Sequence, residues 1–212
     1  MIDLSRDPLE VAPELLGAVL CHDGVALRLT EVEAYRGGDD PASHAFRGVT
    51  PRTRVMFGPS AHLYVYLSYG IHLAANIVCG SDGTAGAVLL RAGEVVAGHE
   101  LARGRRAAGR RPDAPPVPDH LLAKGPGCVG QALGLSLADS GAVVEQSDQA
   151  APAPAHGSFL LLDGRRPVRT ASGPRVGVSQ AADHPWRFWE AGSPTVSSYS
   201  RSRRAAPPQG PL

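Results

Sequence analysis

Apolar residues in this chain recur mainly at alternate positions, in short runs separated by Gly, Pro, Asp and Ser, and this pattern predicts more strands than helices. Ala18 to Cys21 and Val25 to Tyr35 read as an antiparallel pair joined at His22-Asp23-Gly24, because Asp-Gly is a strong hairpin-turn signal. His62 to Asn76 reads as two strands around a turn near Tyr69-Gly70, and further strands are predicted at Ala87 to Arg91, Phe159 to Leu162, Arg175 to Val178 and Trp186 to Trp189. Helical stretches are fewer. Asp7 to Gly17 has a cap, a proline in the first turn and a glycine stop, and Thr50 to Phe57 opens the same way with Thr50 and Pro51. Glu94 to Arg103 has helical spacing, His120 to Leu122 reads as a helical turn, and a helix follows Gly125-Pro126-Gly127 through Leu135. Turns rather than helical crossovers join the strands, so the predicted fold is a single α+β domain with a mostly antiparallel sheet and flanking helices.

Between these elements, Arg36 to Gly48 and Gln146 to Gly157 are loops by composition. Residues 104–118, rich in Arg, Pro and Gly without apolar periodicity, read as a mobile surface loop: either a solvated linker or an arm that touches nucleic acid. Residues 199–212 lack apolar patterning and read as a disordered tail after a domain spanning 1–198. At 212 residues, with 43% hydrophobic and 19% charged residues, the chain has material for one sizeable core. The acidic start carries no secretory signal, and Ala85 to Ala97 is interrupted by Arg91 and Glu94, so no membrane association is expected. Three distant cysteines, Cys21, Cys79 and Cys128, predict reduced thiols and an intracellular protein, cytoplasmic in a bacterium or nuclear in a eukaryote. Of the 21 basic side chains all but Lys124 are arginine, which suits phosphate recognition, although the abundance of Ala, Gly and Pro gives compositional bias as a second source.

The candidate chemistry lies in Thr30-Glu31-Val32-Glu33-Ala34-Tyr35, where alternation puts two carboxylates and a phenol on one face of a strand. Glu33 has three readings: a buried base, a metal ligand, or a surface charge on an edge strand. No His-Glu-x-x-His or Cys-x-x-Cys spacing supports a metal, and no cofactor is implied. A carboxylate within reach of the Tyr-rich hairpin has the makings of a general base beside rings that grip a flat substrate.

The order Glu33-Ala34-Tyr35, Asp40-Pro41-Ala42-Ser43-His44, Thr50-Pro51-Arg52, Met56-Phe57-Gly58, Leu63-Tyr64-Val65-Tyr66, Tyr69-Gly70, Asn76, Val88-Leu89-Leu90-Arg91, Gly125-Pro126-Gly127, Gln131-Ala132-Leu133, Arg175-Val176-Gly177-Val178 and Gly192-Ser193-Pro194 resembles the alkyladenine (3-methyladenine) DNA glycosylases, the mammalian alkylpurine enzyme included. The resemblance implies a curved sheet with a protruding hairpin that inserts into DNA. It also implies a monomeric, monofunctional enzyme that flips an altered purine out of double-stranded DNA and hydrolyses its bond to deoxyribose, with water as nucleophile. The purines it implies are 3-methyladenine, 7-methylguanine, hypoxanthine and ethenoadenine, and their release begins base excision repair. Glu33 matches the general base, with Arg91 and the carbonyl of Val176 holding the water. Tyr35, His44, Tyr66 and Asn76 match the base pocket, with Asn76 excluding guanine. Tyr64 is expected to support that pocket rather than line it. Tyr69 matches the intercalating residue, although without the resemblance its ring reads first as one folded back on the core. Arg52, Lys124, Gly125 and Gly127 are candidates for the DNA backbone, Gly-Pro-Gly being also an ordinary turn.

Three positions depart from the pattern: Cys128 stands where many relatives have a basic residue, Thr53 where Asn is common, and Ser60-Ala61 where Pro-Gly is usual. They bear on affinity and lesion preference. A glycosylase that also cuts the backbone commonly uses an amine, and Lys124 is the only side-chain amine present, so no lyase activity is expected. The alternative from another class is a non-catalytic module that binds damaged DNA with the same hairpin and pocket.

Overall fold

A computed structural model of the chain describes residues 1–108, 110–111, 113–148, 155–164 and 168–207. Helix α1 (Pro8–Leu15) is capped by the Asp7 carboxylate, which accepts from the Leu9 N–H, and it buries Val11, Ala12 and Leu15. Strands β1 (Val19–His22) and β2 (Val25–Tyr35) follow, joined by Asp23 and Gly24, both at positive φ as a two-residue hairpin turn requires. Next come β3 (Leu63–Ser68), β4 (His72–Val78), β5 (Ala87–Ala97), α2 (His99–Ala107), β6 (Ala123–Lys124) and α3 (Pro126–Leu133). The last strands are β7 (Val144–Ser147), β8 (Phe159–Leu162), β9 (Thr170–Gly173) and β10 (Arg187–Glu190).

The main sheet runs β3-β4-β5-β2-β1-β8-β7, with β10 also paired to β2 and to β9, and β6 to β5. All pairings among the described strands are antiparallel except β7 with β8. The sheet is therefore the mostly antiparallel, curled sheet of a single α+β domain. β2 is its axis: β5 lies along one edge, while β1 and then β10 share the other. Val32 and Ala34 are fully buried in the core on one face, which leaves Glu31, Glu33 and Tyr35 to the other.

Two register shifts matter for the site. Leu29 pairs with Gly93 and Glu31 with Ala92, so Thr30 is an extra residue on β2. Val32 then pairs with Leu90, so Arg91 is an extra residue on β5. Bulges of this kind bend a strand and re-aim a side chain, and here one of them carries Arg91. α3 seats on β4 through Gly130, where a Cβ would stand 2.2 Å from the Leu73 carbonyl oxygen. Only glycine permits that approach.

Several expectations need correction. β5 continues to Ala97 and α2 begins at His99, so the helix expected over Glu94 to Arg103 starts later. Val95 is buried and Val96 is exposed, the alternation of a strand, and Glu94 pairs across to Arg28 at 2.9 Å. α2 then runs through Arg105 and Arg106, which were expected in the mobile 104–118 loop. Arg105 donates to the carbonyls of Ala132, Leu133 and Asp23, bonds that hold this part of the segment in the helix. Residues 109 and 112 of that segment lie outside the described residues, as do 149–154 of the expected 146–157 loop, whose start belongs to β7. Arg175 to Val178 forms no strand: the N–H of Val176 goes to Glu33 and that of Gly177 to the Ser200 carbonyl, so no ladder is made. The short helix after Thr50 is a four-residue 3-10 turn, Arg54–Phe57. Of the expected disordered tail, 208–212 lie outside the described residues. Before them Arg201 pairs with Asp183 at 2.6 Å.

Candidate active site

The end of β2 delivers Glu33 to the floor of a cavity of about 920 Å³. The carboxylate is almost completely buried and meets three donors. The Val176 N–H donates to Oε1 at 2.8 Å, the Tyr35 hydroxyl donates to Oε2 at 2.9 Å, and Arg91 Nη1 lies 3.5 Å from Oε1. All three are donors, the complement of a carboxylate's acceptor oxygens. Val176, whose carbonyl was expected to hold water, thus meets Glu33 through its N–H.

Aromatic rings make the walls. Tyr66 stacks on Tyr64 with ring centres 5.5 Å apart, and His44 stands edge-on to Tyr66 at 4.6 Å. Tyr64 is buried, and its hydroxyl lies 3.1 Å from His44 Nδ1, so it fixes the imidazole from behind while also lining the cavity. Burial, then the nearby Arg52 charge, lowers the His44 pKa to about 4. Burial, then the charge of Glu33, pushes the Tyr66 phenol up to about 12 and Tyr35 well above its ordinary value. The ring walls are therefore uncharged at neutral pH.

Tyr35 is held by more than its hydroxyl. Arg175 lies over its ring at 4.6 Å and over Trp186 at 5.0 Å, donates to the Ala34 carbonyl, and pairs with Asp40 at 2.8 Å. Both charged side chains are fully buried. Asn76 Nδ2 donates to the Tyr64 carbonyl at 3.0 Å, which fixes the amide orientation because that carbonyl only accepts. At the mouth, Tyr69 is 90% exposed at the tip of the β3–β4 hairpin, with φ +50°, not folded on the core.

Arg52, Gly125 and Gly127 border the same cavity, and the N-terminus of α3 faces it. Lys124 is not brought there: its ammonium donates to the Pro194 carbonyl at 2.9 Å. Arg106, reaching from α2 and hydrogen-bonded to Gln131, supplies positive charge beside Cys128 instead. Sequence reasoning placed Arg106 only within the 104–118 segment and assigned no role to the Asp40–Arg175 pair or to Arg187 and Ser197, the partners that Glu31 has besides Arg91. Asp40 and Arg175 are 135 residues apart, and no spacing signal links them. Among the described residues, no group of three or more His, Cys, Asp or Glu is placed to hold a metal ion.

A buried carboxylate under uncharged aromatic walls, in a cavity bordered by an exposed hairpin tip and by arginines, has the form of a pocket for one flat unit of an anionic ligand. The chain belongs to the methylpurine-DNA glycosylase family, whose sequence profile matches residues 2–194. It is 52% identical over 197 residues to a protein of Cutibacterium acnes, covering 93% of this chain and 98% of that one. It is 53% identical over 209 residues to a protein of Nocardia farcinica, covering 96% and 92% respectively. A protein of Corynebacterium jeikeium is 50% identical over 209 residues, covering 98% and 94%. All three bear the name "Putative 3-methyladenine DNA glycosylase".

Proposed function

We propose that this protein is a monofunctional DNA glycosylase that removes alkylated or deaminated purines from duplex DNA and so begins base excision repair. The observation that carries the reading is Glu33, buried on three donors at the floor of an aromatic-walled cavity, in a chain of this family. A base within the stack is out of reach of such a floor, so the nucleotide is extruded, and Tyr69 on its exposed hairpin fills the space left behind. The rings of Tyr35 and Tyr66, with His44 at their edge, receive the purine faces, and Asn76 tests the base edge. Glu33 orients a water and takes its proton as the glycosidic bond breaks, while its negative charge favours the sugar as that becomes oxocarbenium-like. Arg91 and Val176 fix the carboxylate. The set 3-methyladenine, 7-methylguanine, hypoxanthine and ethenoadenine suits walls that recognise π-faces more than substituents.

The position of the only side-chain amine, Lys124, away from the cavity and bound to a carbonyl, supports hydrolysis without strand cleavage. The protein acts as a monomer inside the cell. Single-turnover base release from duplexes carrying one hypoxanthine or ethenoadenine, and from methylated DNA, tests the reading. Release by the native chain should fall by about two to four orders of magnitude in Glu33→Gln, with lesion-DNA binding retained. Binding without release from any of these substrates would instead identify a non-catalytic damage-binding module.

A further inference from the structure

Glu31, two residues before Glu33, is fully buried and does not line the cavity. Its carboxylate nonetheless meets four donor atoms, where that of Glu33 meets three. Oε1 accepts from Arg187 Nη1 at 3.1 Å and from the Ser197 hydroxyl at 2.9 Å, and it lies 3.1 Å from Arg91 Nε. Oε2 accepts from the Ser197 N–H at 2.7 Å. Arg91 Nε also donates to Ser197 Oγ at 3.1 Å. Arg91 is thus gripped at its inner nitrogen by Glu31 and Ser197, and its outer Nη1 extends to Glu33.

We propose that Glu31 is a positioning residue of the glycosylase site: through Arg91 it fixes the guanidinium that orients Glu33. The inference rests on the glycosylase reading. Three features of the geometry support it. Arg91 is the extra residue of the β5 bulge, so the strand ladder does not fix its direction and the side-chain contacts must. A guanidinium whose Nε–H is donated to Ser197 Oγ, itself bonded to Glu31, and whose Nε lies against the Glu31 carboxylate keeps its plane, and hence the line on which Nη1 meets a second carboxylate. Arg187, itself lying over the Trp189 ring at 4.4 Å, balances the second buried negative charge, which lets two carboxylates share one arginine without repelling it outward.

Gln at this position keeps the shape but replaces one oxygen by an NH2 group. At either orientation that group faces a donor: the Ser197 N–H on one side, or the Arg187 and Ser197 donors on the other. The test is a double-mutant cycle on single-turnover base release, with lesion-DNA affinity measured in parallel. Glu31→Gln should slow release by about ten- to a hundredfold and change affinity by less than about threefold. In an Arg91→Ala background the same substitution should cost less than about twofold more, because Glu31 acts through the side chain already removed. A merely structural role would give losses that add. If Glu31→Gln does not fold by circular dichroism, Ser197→Ala takes its place in the cycle, with an expected slowing of about three- to tenfold that also disappears without Arg91. Release at the native rate by the folded variant, or additive losses, overturns the inference while leaving the glycosylase reading intact. No release by the native chain overturns both.

Discussion

His44 shows how the cavity sets the charge of its own wall. Its imidazole lies against two tyrosines beside Arg52, and both influences disfavour the protonated form. The folded-state pKa of about 4 lies below the ordinary 6.5, so as pH falls the unfolded chain takes up this proton first. His44 therefore contributes stability that is fully present above pH 6.5 and is lost as pH falls toward 4. Nuclear magnetic resonance titration should find an imidazole midpoint near 4. The thermal midpoint of the native chain should drop more between pH 7 and 4.5 than that of His44→Gln. At residue scale, Glu33 and the phenol of Tyr35 were readable from alternation, because the second register shift, between Glu31 and Val32, puts its extra residue on β5 and leaves the alternation along β2 intact. The grip of Arg175 on Tyr35 was not readable, since a buried Asp–Arg pair across 135 residues leaves no local trace.

The hairpin is an element whose tip is built against its own conformational preference. Tyr69 at φ +50° and Gly70 at φ +73° are the first two of the three residues, Tyr69 to Ile71, that connect β3 to β4, and the first of these positions suits glycine better than an aromatic residue. The strain persists at a residue that packs on little, as expected where a side chain is needed for something other than folding. Tyr69→Gly should therefore raise stability by up to about 1 kcal/mol in urea denaturation, and, under the proposed function, slow base release at the same time, since no ring would remain to hold the extruded state. A parallel loss of stability and activity would contradict this account of the tip. The hairpin and the glycine-started α3 were legible from local signals. The end of β5 was not, because Glu94 to Arg103 satisfies a helical spacing that pairing with β2 overrides.

Over the whole molecule, a net charge of +1 conceals an uneven distribution of arginines. Two neighbours on α2 serve different purposes: Arg105 ties α2 to the C-terminal carbonyls of α3, whereas Arg106 borders the cavity beside Cys128. Arg106→Ala should reduce the slope of log affinity for DNA against log salt by about 0.9, the loss of one phosphate contact, with little change in thermal midpoint. Arg105→Ala should do the reverse, lowering the thermal midpoint and leaving the salt slope unchanged. Anisotropy titrations from low to physiological salt, beside thermal melts of both variants, separate the two.

The sequence by itself determined the α+β class, the axial strand with its two carboxylates, the Tyr-rich hairpin, the glycine-bounded α3 and the family. Each of these is written in alternation, turn residues or short motifs that neighbours in the chain enforce. Only the tertiary structure decided that Arg91 answers to two carboxylates, that Val176 meets Glu33 by its N–H, that Ser197 closes on Glu31, and that Lys124 faces away while Arg106 faces in. Those contacts join segments separated by tens to more than a hundred residues. They arise where bulges and buried charges must find partners, a requirement that the folded chain meets as a whole and no local pattern records.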